Sequence, residues 1–127
     1  MPGVTYDTGA LIAGERGDRA MWALHAGFLA SEISPTVPAP VLAEAWRGGP
    51  RQTNLVRLLS LCSVELMSEA QARKVGVLAG LAGHTDVVDV TVVEGAVRRG
   101  DAVVTSNREH VELLARAAKA RLQILDV

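Results

Sequence analysis

The chain has 127 residues, of which 49% are hydrophobic and 21% are charged, and its formal net charge is -1. This profile predicts one globular domain, 1–127, and excludes a disordered tail and a protein that holds nucleic acid by bulk positive charge alone. No apolar run reaches the length of a membrane span, and the N-terminus lacks the basic start and apolar core of a signal peptide. We therefore expect a cytoplasmic protein that does not enter a membrane.

The first third of the chain predicts a strand followed by two helices. The short β-rich run VTY ends at Asp7, and TGALIAGE, which follows it, has helical spacing. Asp18 is a suitable N-cap for a second helix, RAMWALHAGFLAS, because its carboxylate can accept hydrogen bonds from the first amides of that helix. The apolar residues of this second helix fall on one face, which predicts that this face is buried.

The middle of the chain predicts an extended segment, two helices, a strand and a third helix. SPTVPAP is expected to be extended, because proline fixes its own φ and disfavours helix at the residue before it. VLAEAWR predicts a helix that ends at the Gly-Gly-Pro of 48–50, and a further helix is expected over about 52–61. SVELM predicts a strand, and Ser68 with Gln71 forms a capping-box signature for a helix that runs to Gly83.

The last third continues the alternation. A helix is expected from about Asp86 to Arg99, with Gly100 in the left-handed position after its end. DAVVTS predicts a strand, REHVELLARAAKA a helix and LQILDV a last strand. Strand alternating with helix indicates an α/β fold with a central parallel sheet of about four to five strands and helices on both faces. In such a sheet the functional crevice lies at the carboxyl ends of the strands.

Six oxygen-bearing side chains follow strands or begin helices at that predicted edge. They are Asp7, Glu44, Asp86, Asp89, Ser106 and Asn107. A hard divalent cation such as Mg²⁺ needs several oxygen ligands that converge in this way. Zinc is disfavoured because the sequence has no closely spaced pair of histidines. The sequence therefore predicts a site for a divalent cation at the carboxyl edge of the sheet.

These residues also have purely structural interpretations. Asp7 is a good N-cap for the helix that follows it, and Asp86 is a good N-cap with a second acidic residue in the first turn. Ser106 with Glu109 forms another capping-box signature. Glu44 is compatible with an ordinary solvated position on a helix. Caps need not gather at one edge of a sheet, however, so the convergence favours the metal site.

Four segments, taken in order, carry a resemblance to a known family. YDTGAL, VLAEAWR, DVVDVTVVEGAVRRGDAVVTSN and the closing strand resemble the PIN-domain ribonucleases, specifically the VapC-type toxins of bacterial toxin–antitoxin pairs. The resemblance covers essentially the whole chain. It implies a three-layer α/β/α PIN-like fold and a metal-dependent endoribonuclease that cleaves RNA phosphodiesters with Mg²⁺ or Mn²⁺. It also implies a small antitoxin as partner and a homodimer.

The resemblance assigns roles to particular positions. It places the first metal-binding aspartate at Asp7, the helical glutamate at Glu44 and the third acidic residue at Asp89. Asp86, on the same helical face as Asp89, is then an accessory ligand or the cap. The fourth position, usually acidic in the family, is Asn107 in this chain. An amide there can still offer a carbonyl oxygen, but one negative charge is lost, which predicts weaker metal binding or activity.

Further residues near these motifs have expected accessory roles. Thr105 and Ser106 precede the fourth position and are expected to support it. Arg47, Arg51 and Arg108 lie close to the motif segments and are candidates for contacts with the RNA backbone, although solvated surface arginines would look the same.

Two other functions are compatible with the sequence. One is a catalytically weak or inactive PIN-like module that binds a partner protein, an alternative that Asn107 favours. The other is a receiver-like signalling domain, which has a similar length and an aspartate cluster. A receiver needs a phosphoacceptor aspartate at the end of its central strand, whereas SVELM ends in Met67.

Overall fold

Five short parallel strands form the central sheet of the computed structural model, which describes residues 3–83 and 86–127. The strands are β1 (Val4–Tyr6), β2 (Thr36–Pro38), β3 (Ser63–Glu65), β4 (Ala102–Thr105) and β5 (Ile124–Asp126). Their order in the sheet is β3-β2-β1-β4-β5, and all neighbouring pairs are parallel. All carboxyl ends therefore share one edge, with β1 and β4 adjacent at the centre. A receiver domain has the order 2-1-3-4-5, so the receiver alternative is wrong.

The described residues also form seven α-helices. They are α1 (Thr8–Glu15), α2 (Arg19–Ala30), α3 (Ala39–Ala45), α4 (Thr53–Leu59), α5 (Glu69–Ala82), α6 (Val87–Arg99) and α7 (Arg108–Ala117). A 3-10 turn at Pro50–Gln52 precedes α4. The helices cover both faces of the sheet, and the predicted three-layer α/β/α arrangement is confirmed. Within residues 3–83 and 86–127, no single helix is both long enough and apolar enough to cross a membrane.

The core lies between the two central strands and the helices on either side of them. Every residue of β1 and β4 is buried, and Leu11, Met21 and Leu114 are fully buried in the same core cluster. Each such side chain contributes roughly 1.5–3 kcal/mol by leaving water. The Tyr6 hydroxyl lies 2.8 Å from Nδ1 of the buried His25, so the polar end of this core tyrosine is satisfied. Burial of the central strands fixes the position of the edge where they end.

The predicted helix caps are largely confirmed. Asp18 Oδ1 accepts a hydrogen bond from the Met21 amide at 2.9 Å, and Ser68 Oγ accepts one from the Gln71 amide at 3.0 Å. Gly100 ends α6 with φ of 72°, a conformation that residues with a Cβ rarely adopt. These local signals set helix boundaries because they satisfy backbone groups that the helix itself leaves unpaired.

The third helix differs from its prediction at both ends. The prediction of an extended segment over 34–40 was wrong at its end, because α3 already begins at Ala39 and includes Pro40 in its first turn. Proline is tolerated there, since the missing N–H has no partner within the helix. The helix also ends at Ala45, not after Arg47. The buried Gln52 explains this end: Nε2 donates to the Ala45 carbonyl at 2.8 Å and Oε1 accepts from the Arg47 amide at 2.8 Å, which turns the chain.

Candidate active site

Asp7 lies directly after β1 and is the N-cap of α1. Its side chain is buried, and Oδ1 accepts a hydrogen bond from the Ala10 amide at 2.8 Å. Burial raises the pKa of Asp7, hydrogen bonds from Thr105 and Ala10 lower it, and the nearby charge of Asp89 raises it, so that the pKa lies above its ordinary value. Asp7 is therefore both a helix cap and an acid whose ionised form the protein alone does not fully stabilise.

Asp89 supplies the second carboxylate of the site from the first turn of α6. It is close enough to Asp7 to raise the pKa of that residue, and its Oδ2 lies 3.4 Å from Nδ1 of His110. Asp86, by contrast, caps α6: its Oδ1 accepts from the amides of Val88 at 3.0 Å and Asp89 at 3.3 Å. Of the two aspartates in this segment, Asp89 is thus the one that faces Asp7, and Asp86 has the capping role.

The turn between β4 and α7 completes the surroundings of Asp7. The Thr105 hydroxyl forms a hydrogen bond with the Asp7 carboxylate and accepts one from the Asn107 amide at 2.8 Å. Asn107 is the N-cap of α7, and its Oδ1 accepts from the His110 amide at 3.4 Å. The predicted capping box of Ser106 was therefore wrong by one residue. The Asn107 carbonyl oxygen, which the resemblance assigns to the fourth site position, serves as a cap in this structure.

Gly9 and Ser106 bring the start of α1 against this turn. A Cβ on Gly9 would overlap Oγ of Ser106 and lie 2.8 Å from its Cβ. Such closeness is possible only because glycine has no side chain. The contact joins the two segments that carry Asp7 and Thr105, so that these side chains meet.

Glu44 occupies a different position from the Asp7–Asp89 pair. Its side chain is exposed on α3, a helix that contacts both α1 and α6. Among residues 3–83 and 86–127, no group of three or more His, Cys, Asp or Glu side chains is arranged to hold a metal ion. The convergence of Glu44 and Asp86 on the pair therefore remains a prediction.

The donor atoms at the site nevertheless fit Mg²⁺ or Mn²⁺. Mg²⁺ in proteins is commonly held by one or two carboxylates, with waters and substrate phosphates as its remaining ligands. Asp7 and Asp89 provide two such carboxylates, and their mutual repulsion is of the kind that a cation relieves. Next to Asp7 in the chain, Oγ1 of Thr8 is buried and has no hydrogen-bond partner among the described residues. The site thus has an excess of negative charge, and an unpartnered oxygen lies on the residue next to Asp7 in the chain.

The three arginines differ in their surroundings. Arg108 donates to both oxygens of Asp126, at 2.8 to 3.1 Å, and to the Ile124 carbonyl at 2.9 Å, which attaches α7 to β5. Arg47 is exposed and donates to the Trp46 carbonyl at 2.7 Å, and Arg51 is exposed. Contacts of these residues with RNA remain predictions, and Arg108 already has a structural role.

Sequence reasoning missed two residues near the predicted positions. His110 contacts Asp89, and Gln52 organises the loop that begins directly after the helix of Glu44. For His110 a signal was present, because it falls in the first turn of a helix that starts at the carboxyl edge. For Gln52 there was none, since a buried glutamine that hydrogen-bonds backbone leaves no periodic pattern.

Comparison with known proteins identifies the fold. No protein-family model matches the sequence, and no curated protein matches it. The structure is similar to a chain in the crystal structure of VapBC2 from Rickettsia felis bound to a DNA fragment from their promoter. The TM-score is 0.72 and the identity 15%, over 98% of this chain and 98% of that chain. At this identity the likeness shows the fold, which agrees with the PIN-like fold implied by the resemblance to VapC-type toxins.

Proposed function

We propose that this protein is a Mg²⁺- or Mn²⁺-dependent endoribonuclease and the toxin of a VapC-type toxin–antitoxin pair. The observation that carries the proposal is the pair of carboxylates, Asp7 and Asp89, at the carboxyl edge of the central strands, where burial and the nearby charge of Asp89 raise the pKa of Asp7. Two further findings support it: the ordered motifs that resemble PIN-domain ribonucleases, and the similarity to a chain of a VapBC2 complex.

The residues of the site have separate parts in the proposed reaction. A divalent cation at the pair would favour ionisation of an attacking water and offset charge on the transition state of in-line phosphodiester cleavage. Asp7 is held in place by the Ala10 amide and the Thr105 hydroxyl, so one carboxylate is fixed before substrate arrives. Asp89 supplies the second. Pre-set ligands avoid the free energy of reorganisation during the reaction.

The outer residues of the site would add donors and bind the substrate. Glu44 and Asn107 are the proposed additional oxygen donors, with Thr105 and Ser106 supporting the turn that carries Asn107. Arg47 is proposed to contact the phosphate backbone of RNA, as is Arg51, because both are exposed.

We also propose a small antitoxin as partner, and a homodimer of this chain. The VapBC2 structure contains a complex, and a protein partner agrees with the apolar surface of this chain. Trp46, Val56 and Val64 are exposed and line a groove of about 560 Å³. Apolar surface of this kind is commonly covered by another protein.

The test is cleavage of RNA by the purified protein with and without metal. Cleavage is expected in Mg²⁺ or Mn²⁺, loss of cleavage in excess chelator, and recovery when the metal is returned. Full activity in chelator would contradict the metal-dependent reaction. The Asp7→Asn variant, purified identically, controls for a contaminating ribonuclease.

A binding module without strong catalysis is the second candidate. Two observations favour it: Asn107 serves as a helix cap, and the described residues hold no group of three or more potential metal-ligating side chains. This candidate predicts that the chain binds its antitoxin but cleaves no RNA at any Mn²⁺ concentration, including in variants that restore an acidic residue at position 107.

A further inference from the structure

We infer that His110 is a positioning residue that holds the Asp89 carboxylate toward Asp7, an inference that rests on the proposed metal-dependent function. Nδ1 of His110 lies 3.4 Å from Oδ2 of Asp89. Neither the acidic motif nor the arginine candidates include this histidine. It acts on the site through Asp89 and has no proposed contact with substrate.

A connected series of contacts links the two carboxylates through the β4–α7 turn. Asp7 is bonded to the Thr105 hydroxyl, and that hydroxyl accepts from the Asn107 amide at 2.8 Å. Asn107 in turn accepts from the His110 amide at 3.4 Å, and the His110 ring reaches Asp89. The backbone of His110 is therefore located by the same turn that holds Asp7. One short segment, 105–110, touches both acidic residues.

The need for such a contact follows from the exposure of Asp89. Its side chain is 32% exposed in the first turn of a helix, so packing alone does not fix its rotamer. Repulsion from Asp7 favours rotamers that point away from the site. A ring nitrogen on the β4–α7 side offsets this preference and keeps the carboxylate near Asp7. Residues that contact and orient a metal-binding side chain commonly change metal affinity by 10–100-fold when they are removed.

Stability and metal affinity should respond differently to loss of His110. The ring is 51% exposed, and polar contacts at the surface contribute little to folding. Orientation of a ligand, by contrast, acts directly on metal binding. If the contact of His110 with Asp89 were only structural, its loss would therefore change neither the Mn²⁺ affinity nor the χ1 rotamer of Asp89.

The first experiment measures Mn²⁺ binding by calorimetric titration for the wild type, His110→Ala and His110→Asn. Asparagine places an amide nitrogen near the position of Nδ1. We expect about tenfold weaker binding for His110→Ala, at the lower end of the usual range because the pair is partly exposed, and recovery of most of it in His110→Asn. Glu109→Gln changes an exposed neighbour in the same turn and should leave the affinity unchanged.

The second experiment needs no metal and no activity. In labelled, metal-free protein, three-bond couplings report χ1 of Asp89: one dominant rotamer is expected in the wild type and in His110→Asn, and rotamer averaging in His110→Ala. Identical couplings in wild type and His110→Ala would overturn the positioning role, as would Mn²⁺ binding that is measurable in the wild type and equally tight in His110→Ala. If the couplings change as expected but the wild type neither binds Mn²⁺ nor cleaves RNA, the positioning role stands and the proposed function fails.

Discussion

The two ends of α6 carry charge in opposite ways. At its amino end, Asp89 lies near Asp7, and the two acidic groups repel. At its carboxyl end, Arg98 and Arg99 both pair with Glu65 of β3, at 2.6 and 2.7 Å. One helix thus joins a site with excess negative charge to a network in which acids and bases are matched.

The network at the carboxyl end continues into the central sheet. Arg99 Nε donates to Asp101 at 2.9 Å, Nη2 donates to the Thr5 hydroxyl at 2.8 Å, and that hydroxyl donates to Asp101 at 2.8 Å. Burial acts to raise the pKa of Glu65, but hydrogen bonds and charges from Arg98 and Arg99 together lower it below its ordinary value. The pKa of Asp7, by contrast, lies above its ordinary value.

This difference separates charges that stabilise the fold from charges that serve a site. Matched, hydrogen-bonded charges stay ionised without outside help. Acids held together, with the pKa of one raised, are less stable in the ionised form than in water, so a bound cation would stabilise them, and such groups concentrate at functional sites. The comparison therefore predicts that mutations at the amino end change activity and that mutations at the carboxyl end change stability.

The largest effect is expected for Asp7→Asn. Asparagine is as good an N-cap as aspartate, so α1 should persist, while RNA cleavage should fall by about 10²–10³-fold because a metal carboxylate is lost. The raised pKa means that the folded state loses stability as pH rises above the ordinary value of 3.8. In metal-free buffer at pH 7, Asp7→Asn should therefore be as stable as the wild type or more so, by thermal unfolding.

Asp18→Asn is the matched control for this substitution. Asp18 caps α2 as Asp7 caps α1, with its Oδ1 on the Met21 amide, so the same change is made in the same local setting. Cleavage should be unchanged in Asp18→Asn. Unfolding of Asp7→Asn with normal activity per folded molecule would favour the purely structural role of Asp7.

A smaller effect, on stability alone, is expected for Glu65→Gln. The change removes the ionic partner of Arg98 and Arg99, and charged hydrogen bonds of this kind contribute about 2 kcal/mol. The lowered pKa means that the stabilisation is present above the ordinary value of 4.5 and is lost as pH falls through the folded-state pKa. Urea unfolding should therefore show a deficit near pH 7 that shrinks below pH 4.5.

Cleavage per folded molecule should be unaffected by Glu65→Gln. Glu69→Gln is a useful reference, because the exposed pair of Glu69 with Arg73 on α5 should contribute less than about 0.5 kcal/mol. An equal effect of the two substitutions would show that the network at the end of α6 is no stronger than a surface ion pair.

The smallest effect is expected for Asn107→Asp. Aspartate can cap α7 as asparagine does, and it adds a charged oxygen at the fourth position that the resemblance assigns to the site. Mn²⁺ binding should tighten by about 1 kcal/mol, roughly fivefold, in calorimetric titration. Asn107→Ala should weaken binding modestly. Identical affinities for all three proteins would leave Asn107 as a cap outside the metal site.

Most of the secondary structure followed from local signals. β1, α1 and the start of α2 agree with their predictions because a β-rich run, a helical run and two aspartate caps all act within a few residues. The end of α3 did not follow, since it depends on Gln52, a residue seven positions away from the carbonyl it binds. Sequence patterns predict the bounds of an element where the backbone groups at its ends are hydrogen-bonded by residues close in sequence.

The site was predicted in part, for a similar reason. The edge of the sheet follows from topology, which is why Asp7 and Asp89 were expected to approach each other. The roles of Asp86 and Asn107 as caps depend on which way each side chain turns, and sequence spacing allows both orientations. The contact of His110 with Asp89 joins two helices across 21 residues of chain, beyond any periodic signal.

The close approach of Gly9 to Ser106 has an evolutionary consequence. Alanine at position 9 is incompatible with the serine, whose Oγ and Cβ occupy the space of the new methyl group. Glycine at position 106 would remove both atoms, leaving a backbone nitrogen at 3.2 Å that a shift of a few tenths of an ångström relieves. The two substitutions are thus non-additive, and only one order of acquisition avoids a strained intermediate: position 106 must change first. In descendants of this chain, the identity of residue 9 should depend on the history of residue 106.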